Sequence, residues 1–171
     1  MDWKPRRETL PSDVHAALGL ARGERVLAFG RAVDGVWLIG TDRSLYIGAD
    51  DFVEIPWERV EHATWSSDDS ALVVEEVADF GETHPRHVVR LDDPRRLLQL
   101  VRERVTASIL LTRNVPIAGT KGLQIVTRRS PLRTGDIEFS FWLGDGLDPS
   151  DEAVLDARRR GLEQARVDLG L

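Results

Sequence analysis

The sequence predicts an α+β fold, and three observations carry that prediction. Seven short apolar segments follow one another between residues 24 and 91, at the spacing of about 8–12 residues that marks a meander of antiparallel strands. An amphipathic helix then opens at Asp92-Asp93-Pro94. A second, smaller run of three strands and a helix fills the remainder of the chain.

Residues 1–21 read as a loose leader, which carries Trp3, and a short helix. The helix starts at Pro11-Ser12-Asp13 and reaches about Leu20. Ser12 can cap it, and Asp13 suits the positive end of its dipole. From Glu24 the pattern turns to strands, the first over residues 25–32. Asp34-Gly35 between apolar runs predicts a hairpin with a two-residue loop. Strands follow over 36–40, 44–47, 54–57, 60–65, 71–77 and 87–91, with polar turns such as Thr41-Asp42-Arg43 between them. Pro56 has no N–H to give to a ladder, so it belongs at a sheet edge or a strand end.

Asp92-Asp93-Pro94 predicts the start of a helix, with Asp as cap and Pro in the first turn, where its missing N–H costs nothing. Leu97, Leu98, Val101 and Val105 line one face at helical spacing, and the helix ends near Ser108. Residues 109–117, 123–127 and 137–143 read as strands, joined by turns at 119–122 and 131–135. Asp148-Pro149-Ser150-Asp151 repeats the Asp-Pro helix opening. In that last helix Leu155, Leu162 and Leu169 fall seven apart, with Val154 and Ala165 beside them, and Gly170 suits a C-cap.

Thr41-Asp42-Arg43-Ser44-Leu45-Tyr46 resembles the third-strand signature of bacterial PH-like and GRAM-like domains, and Ile55-Pro56-Trp57-Glu58-Arg59-Val60-Glu61 resembles a later strand start in the same domains. The chain as a whole is similar to actinobacterial proteins that carry such a domain. The resemblance covers about half of it. It implies a PH-like domain over 22–110, a seven-stranded antiparallel barrel whose strands curl into two near-orthogonal sheets and whose open end is plugged by a C-terminal helix. A strand-strand-strand-helix extension over 111–171 follows. The junction at 108–112 has no linker composition, so the extension is expected to pack on the first domain. Lipid-binding PH-like domains set several basic residues around the first hairpin. Here Arg31-Ala32-Val33-Asp34-Gly35 sets one Arg against one Asp, too few donors for a phosphate headgroup.

The 171 residues suit one domain with a sizeable extension, long enough to bury a core without staples. There is no cysteine, which excludes disulfides, thiolate chemistry and Cys-based zinc sites. That fits a reducing cytoplasm, as does an N-terminus with no apolar run of signal-peptide type. The net charge of −6 argues against nucleic acid as a partner. The charge is uneven, however. Residues 1–91 hold ten basic and seventeen acidic residues, and residues 134–171 hold four and nine. Residues 92–133 hold nine basic and three acidic, a basic island between acidic flanks.

Arg128-Arg129 with Arg133 is the densest basic cluster of that island, and Arg113 and Lys121 are near it in sequence. These five are the candidate contacts for an anionic partner. The plainer reading is a solvated hairpin paired with Asp145, Asp148 and Asp151. His84 and His87 flank Pro85 and read as solvated loop histidines, since with Asp79 alone they lack the spacing of a zinc site. Asp68-Asp69 reads as turn chemistry. Residues 118–122 lack the spacing of a Walker loop. No catalytic, cofactor or metal site is expected. The expected role is that of a non-enzymatic interaction or scaffold protein, binding a protein partner or a second copy of itself. Two further readings stand beside it. One is an enzyme with a carboxylate and arginine pocket between barrel and extension, using Asp148, Glu138 and Arg113. The other is anionic-lipid contact through Arg95, Arg96 and Arg102 on the basic helix.

Overall fold

The computed structural model describes residues 9–92 and 94–171. The leader with Trp3 and the capping role of Asp93 lie outside the described residues, apart from Leu10 and its neighbour. In chain order the elements are α1 (Ser12–Ala17), β1 (Val26–Arg31), β2 (Trp37–Thr41), β3 (Ser44–Gly48), β4 (Phe52–Pro56), a 3-10 turn (Trp57–Arg59), β5 (Val60–Ser66), β6 (Ala71–Glu76) and β7 (Arg86–Arg90). Then come α2 (Arg95–Ser108), β8 (Ile109–Ala118), β9 (Lys121–Arg128), β10 (Glu138–Leu143) and α3 (Glu152–Leu169). The fold is α+β with three antiparallel sheets, ordered β1-β2-β3-β4, β5-β6-β7 and β10-β9-β8.

The seven strands of the first part thus make two sheets and no closed barrel. β4 and β5 share no ladder. The reason is local. Pro56 ends β4 without a donor, and Trp57–Arg59 turns the chain through a 3-10 step before β5 begins. Trp57 is fully buried at that corner, and its indole N–H donates to the Thr41 carbonyl at 3.0 Å. The stripe Leu97, Leu100 and Val101 of α2 packs into one core with Leu38 and Leu45 of the first sheet and Leu72 and Val89 of the second. Gly40 lets it approach, since a Cβ there would stand 2.6 Å from Leu100 Cδ2. The outer face of the first sheet is covered as well. Ile39 and Tyr46 pack with Leu18, and Leu10 and Val14 lie against them.

Several boundaries depart from the sequence reading. α1 stops at Ala17, and Ser12 is its first helical residue with no side-chain cap bond at that end. The Asp34-Gly35 loop has three residues, not two. Ala32 N–H donates to the Val36 carbonyl at 2.7 Å, and Gly35 sits at φ +91°, which is the type I turn plus left-handed residue of three-residue hairpins. Asp148 does not begin a helix. It accepts from the Ser150 backbone at 2.8 Å and from the Ser150 hydroxyl at 2.6 Å, and α3 starts after Asp151. Those two bonds hold the Asp148 carboxyl below its ordinary pKa.

α3 lies on one face of the third sheet, and the buried residues are not the leucines. Val154, Ala157, Gly161 and Ala165 face the sheet, while Leu155 remains 45% exposed. Small residues at this spacing let the helix axis come close. At Gly161 a Cβ would meet Ile125 Cδ1 at 2.5 Å and Val115 Cγ2 at 2.8 Å. Gly170 closes the helix in the left-handed conformation at φ +71°, as its position suggested.

Candidate functional site

The other face of the third sheet meets β5, and the chemistry of the molecule is concentrated there. Glu61 lies in an irregular step of the β5–β6 ladder, between Val60, which pairs Glu76, and His62, which pairs Glu75. A bulge of this kind re-aims a side chain. Here it turns a carboxylate inward, so Glu61 is only 1% exposed. From β10, the Trp142 indole N–H donates to Glu61 Oε1 at 2.6 Å. From β9, Arg128 Nη2 donates to the Glu61 carbonyl at 3.0 Å and approaches Oε1 at 3.5 Å. Arg128 Nη1 donates to Ser108 Oγ at the C-terminus of α2, 3.3 Å away, where the helix dipole favours a cation. Burial lowers the Arg128 pKa from its ordinary value, and Glu61 opposes that shift.

Trp142 is flanked by imidazoles. His84 stacks on it with centroids 4.7 Å apart and planes 4° apart, and His62 lies at 4.7 Å with a 46° tilt. His84 Nδ1–H donates to the Glu76 carbonyl at 2.9 Å, and His87 Nε2 lies 2.6 Å from Glu76 Oε1. The two histidines expected to be solvated are therefore half-buried and bonded. Asp79 stands elsewhere, in the β6–β7 connection beside Phe80.

Beyond Trp142 the face opens into a cavity of about 520 Å³. Its walls are His62 from β5, Asn114 to Pro116 from β8, Thr120 to Gln124 from the β8–β9 turn and β9, and Trp142 and Leu143 from β10 with Gly144 just after it. Gln124 donates to the Asn114 side-chain carbonyl at 3.0 Å, which fixes both amides in the wall. Among the described residues no Asp or Glu lines this space, and Lys121 is its one permanent cation. The apolar side comes from Val115, Pro116, Leu123 and Leu143.

The five basic residues singled out in the sequence are not brought together. Arg128 is 2% exposed and is spent on Glu61, so it offers nothing to an external anion. This corrects its assignment as a surface contact: a strand arginine reads as solvated until a buried acid is found opposite it. Arg113 faces α3 and pairs with Asp168. The Gln164 amide and Arg113 together hold the Asp168 carboxyl below its ordinary pKa. Arg129 Nε donates to the Gly135 carbonyl at 3.1 Å across the β9–β10 loop, and Arg133 is exposed there in a left-handed conformation, φ +59°. Of the five, Lys121 lines the cavity beside Trp142 and the other four do not.

The residues named for an enzymatic pocket have separate partners. Glu138 pairs with Arg59 at 3.4 Å, Arg113 with Asp168, and Asp148 with Ser150. Arg95, Arg96 and Arg102 lie on the exposed side of α2. Sequence reasoning missed Glu61, His62 and Trp142. An acid inside a strand beside a tryptophan is not a signal in itself. The one available clue was that Val60-Glu61-His62 breaks the alternation expected of a half-buried strand.

Glu58, next to the Arg59–Glu138 pair, has its pKa raised. Burial is the larger cause and the nearby Glu138 charge adds to it. Its Oε2 is buried without a protein partner. A raised carboxylate favours the protonated folded state, so its cost is full above the raised value and is lost as pH falls through that value toward the ordinary one. Glu58→Gln is therefore expected to raise Tm at pH 7, with the gain shrinking at pH 4. Equal Tm differences at the two pH values would contradict this.

No family model, no curated protein and no solved structure matches the chain.

Proposed function

We propose that the chain is a non-enzymatic interaction module, PH-like in its first part, that takes an acidic segment of a protein partner in the cavity beside Lys121. The observation that carries this reading is the lining. In a chain with 29 acidic residues, none of the described residues around this cavity of about 520 Å³ is acidic, and Lys121 stands there with amides and an apolar wall. Such a lining attracts a carboxylate and accommodates the chain around it. The buried acid behind Trp142, Glu61, is committed to Arg128 and Trp142, which favours binding over proton-transfer chemistry. The PH-like build is supported by the strand order. Two antiparallel sheets of four and three strands share one core with the helix that follows them.

A capped hexaglutamate peptide titrated by calorimetry at low salt tests the reading. Binding is expected for the wild type, and Lys121→Gln should weaken it about tenfold, the value of one charge-assisted contact. Binding that is absent, or unchanged in Lys121→Gln, would contradict the proposal.

A further inference from the structure

A second cavity, of about 330 Å³, lies on the opposite side of β10, between α3 and the β6–β7 connection. We propose that it is a site for a small phosphate monoester with an aromatic or apolar body. This goes beyond the reading given for the Lys121 cavity and does not depend on it.

Three arginines line the space, Arg59, Arg158 and Arg166, together with Asp79 and Glu138. Arg59 and Glu138 answer each other at 3.4 Å. Among the described residues, Arg158 and Arg166 have no carboxylate within ion-pair distance, although their neighbours Arg159 and Arg160 both pair with Asp156. α3 sets Arg158, Leu162 and Arg166 four residues apart, on one stripe facing the cavity.

What touches these two arginines is aromatic. The Arg158 guanidinium carbon lies 4.8 Å from the Phe80 ring centre and 4.9 Å from that of Phe141, and the two rings meet edge to face at 5.5 Å. Arg166 lies 5.9 Å over Phe139. Stacking occupies the faces of a guanidinium and leaves its N–H donors in the plane, available to an oxyanion. One donor is conspicuously unanswered: Arg158 Nε is buried with no acceptor. Two positioned forks without a counter-ion suit a dianion with several acceptor oxygens better than a single carboxylate. The remaining walls, Phe80, Phe139, Phe141 and Leu162, are apolar. An apolar cavity of about 150 Å³ already holds benzene, so this one has room for a ring as well as the phosphate.

The test is calorimetric titration of the full chain with phenyl phosphate and with inorganic phosphate at low salt. Phenyl phosphate is expected to bind and to bind more tightly than inorganic phosphate. Arg166→Gln, at an exposed position, should weaken it about tenfold. Arg158→Lys keeps the charge but loses the planar fork, and should weaken it by a similar factor while retaining a cooperative thermal transition. Lys121→Gln should leave phenyl phosphate binding unchanged, which separates this site from the first cavity. No binding of phenyl phosphate, equal binding of the two ligands, or wild-type affinity in Arg166→Gln would overturn the proposal.

Discussion

Arg128→Ala is expected to destabilise the chain by about 3–5 kcal/mol, because it leaves a buried carboxylate without its cation. The group left behind is Glu61, 1% exposed, whose carboxylate is bonded otherwise, among the described residues, through the Trp142 indole. Its Oε2 already has no protein donor. Urea unfolding at neutral pH measures the loss. The same measurement on Arg128→Met with Glu61→Leu separates charge from packing. Removing both charges together should return most of the stability, since an apolar pair of similar volume often matches a buried ion pair. The part not returned would be the Trp142 N–H, whose acceptor has gone, worth about 1–3 kcal/mol. If Arg128→Ala alone lay within about 0.5 kcal/mol of the wild type, Arg128 would behave as a surface residue and the buried Glu61–Arg128 contact would not exist.

Gly161→Leu carries the second large effect. Leucine is the better helix former by about 0.8 kcal/mol, yet the variant is expected to lose about 3 kcal/mol through overpacking. No space receives the side chain, because even a Cβ would press on Ile125 and Val115. The softer change Gly161→Ala allows a cycle with Ile125→Val, which removes the atom standing at 2.5 Å from the added Cβ. The two changes should be less destabilising together than the sum of the singles, by about 0.5 kcal/mol or more. Strict additivity would mean that α3 has shifted off the sheet instead of pressing on Ile125.

The order of elements was legible because local chemistry states it. Short apolar runs between turn residues placed the strands, Gly170 marked the end of α3, and Pro56 was expected at a sheet edge or strand end, which is where β4 stops. The closure of the first part was less legible. Seven strands and a helix in PH-like order suggested a barrel of two sheets plugged by the helix; the two sheets are there, but the Trp57–Arg59 turn after Pro56 leaves β4 and β5 unpaired, so no barrel closes. The packing of α3 was hidden for a different reason. Leucines seven apart dominate the pattern, whereas close approach to a sheet selects small residues, so Ala157, Gly161 and Ala165 hold the buried face.

The site was the least legible part, because its geometry is non-local. Glu61, Arg128 and Trp142 come from three strands and are up to 81 residues apart. Counting charge along the chain made Arg128 look like the centre of a basic surface, and only the bulge at Glu61 explains why it points inward. Lys121 looked no more notable than its neighbours, yet of the five basic candidates it is the one that lines the cavity beside Trp142.

The most direct test of the account is an amide and indole nuclear magnetic resonance titration with the capped hexaglutamate peptide, recorded on the wild type and on Arg133→Gln. Shifts are expected at Thr120, Lys121, Gly122, Gly144 and the Trp142 indole, the same in both proteins. Shifts centred on residues 129–135 and abolished by Arg133→Gln would contradict it, and would place the anionic contact on the β9–β10 loop instead of the cavity.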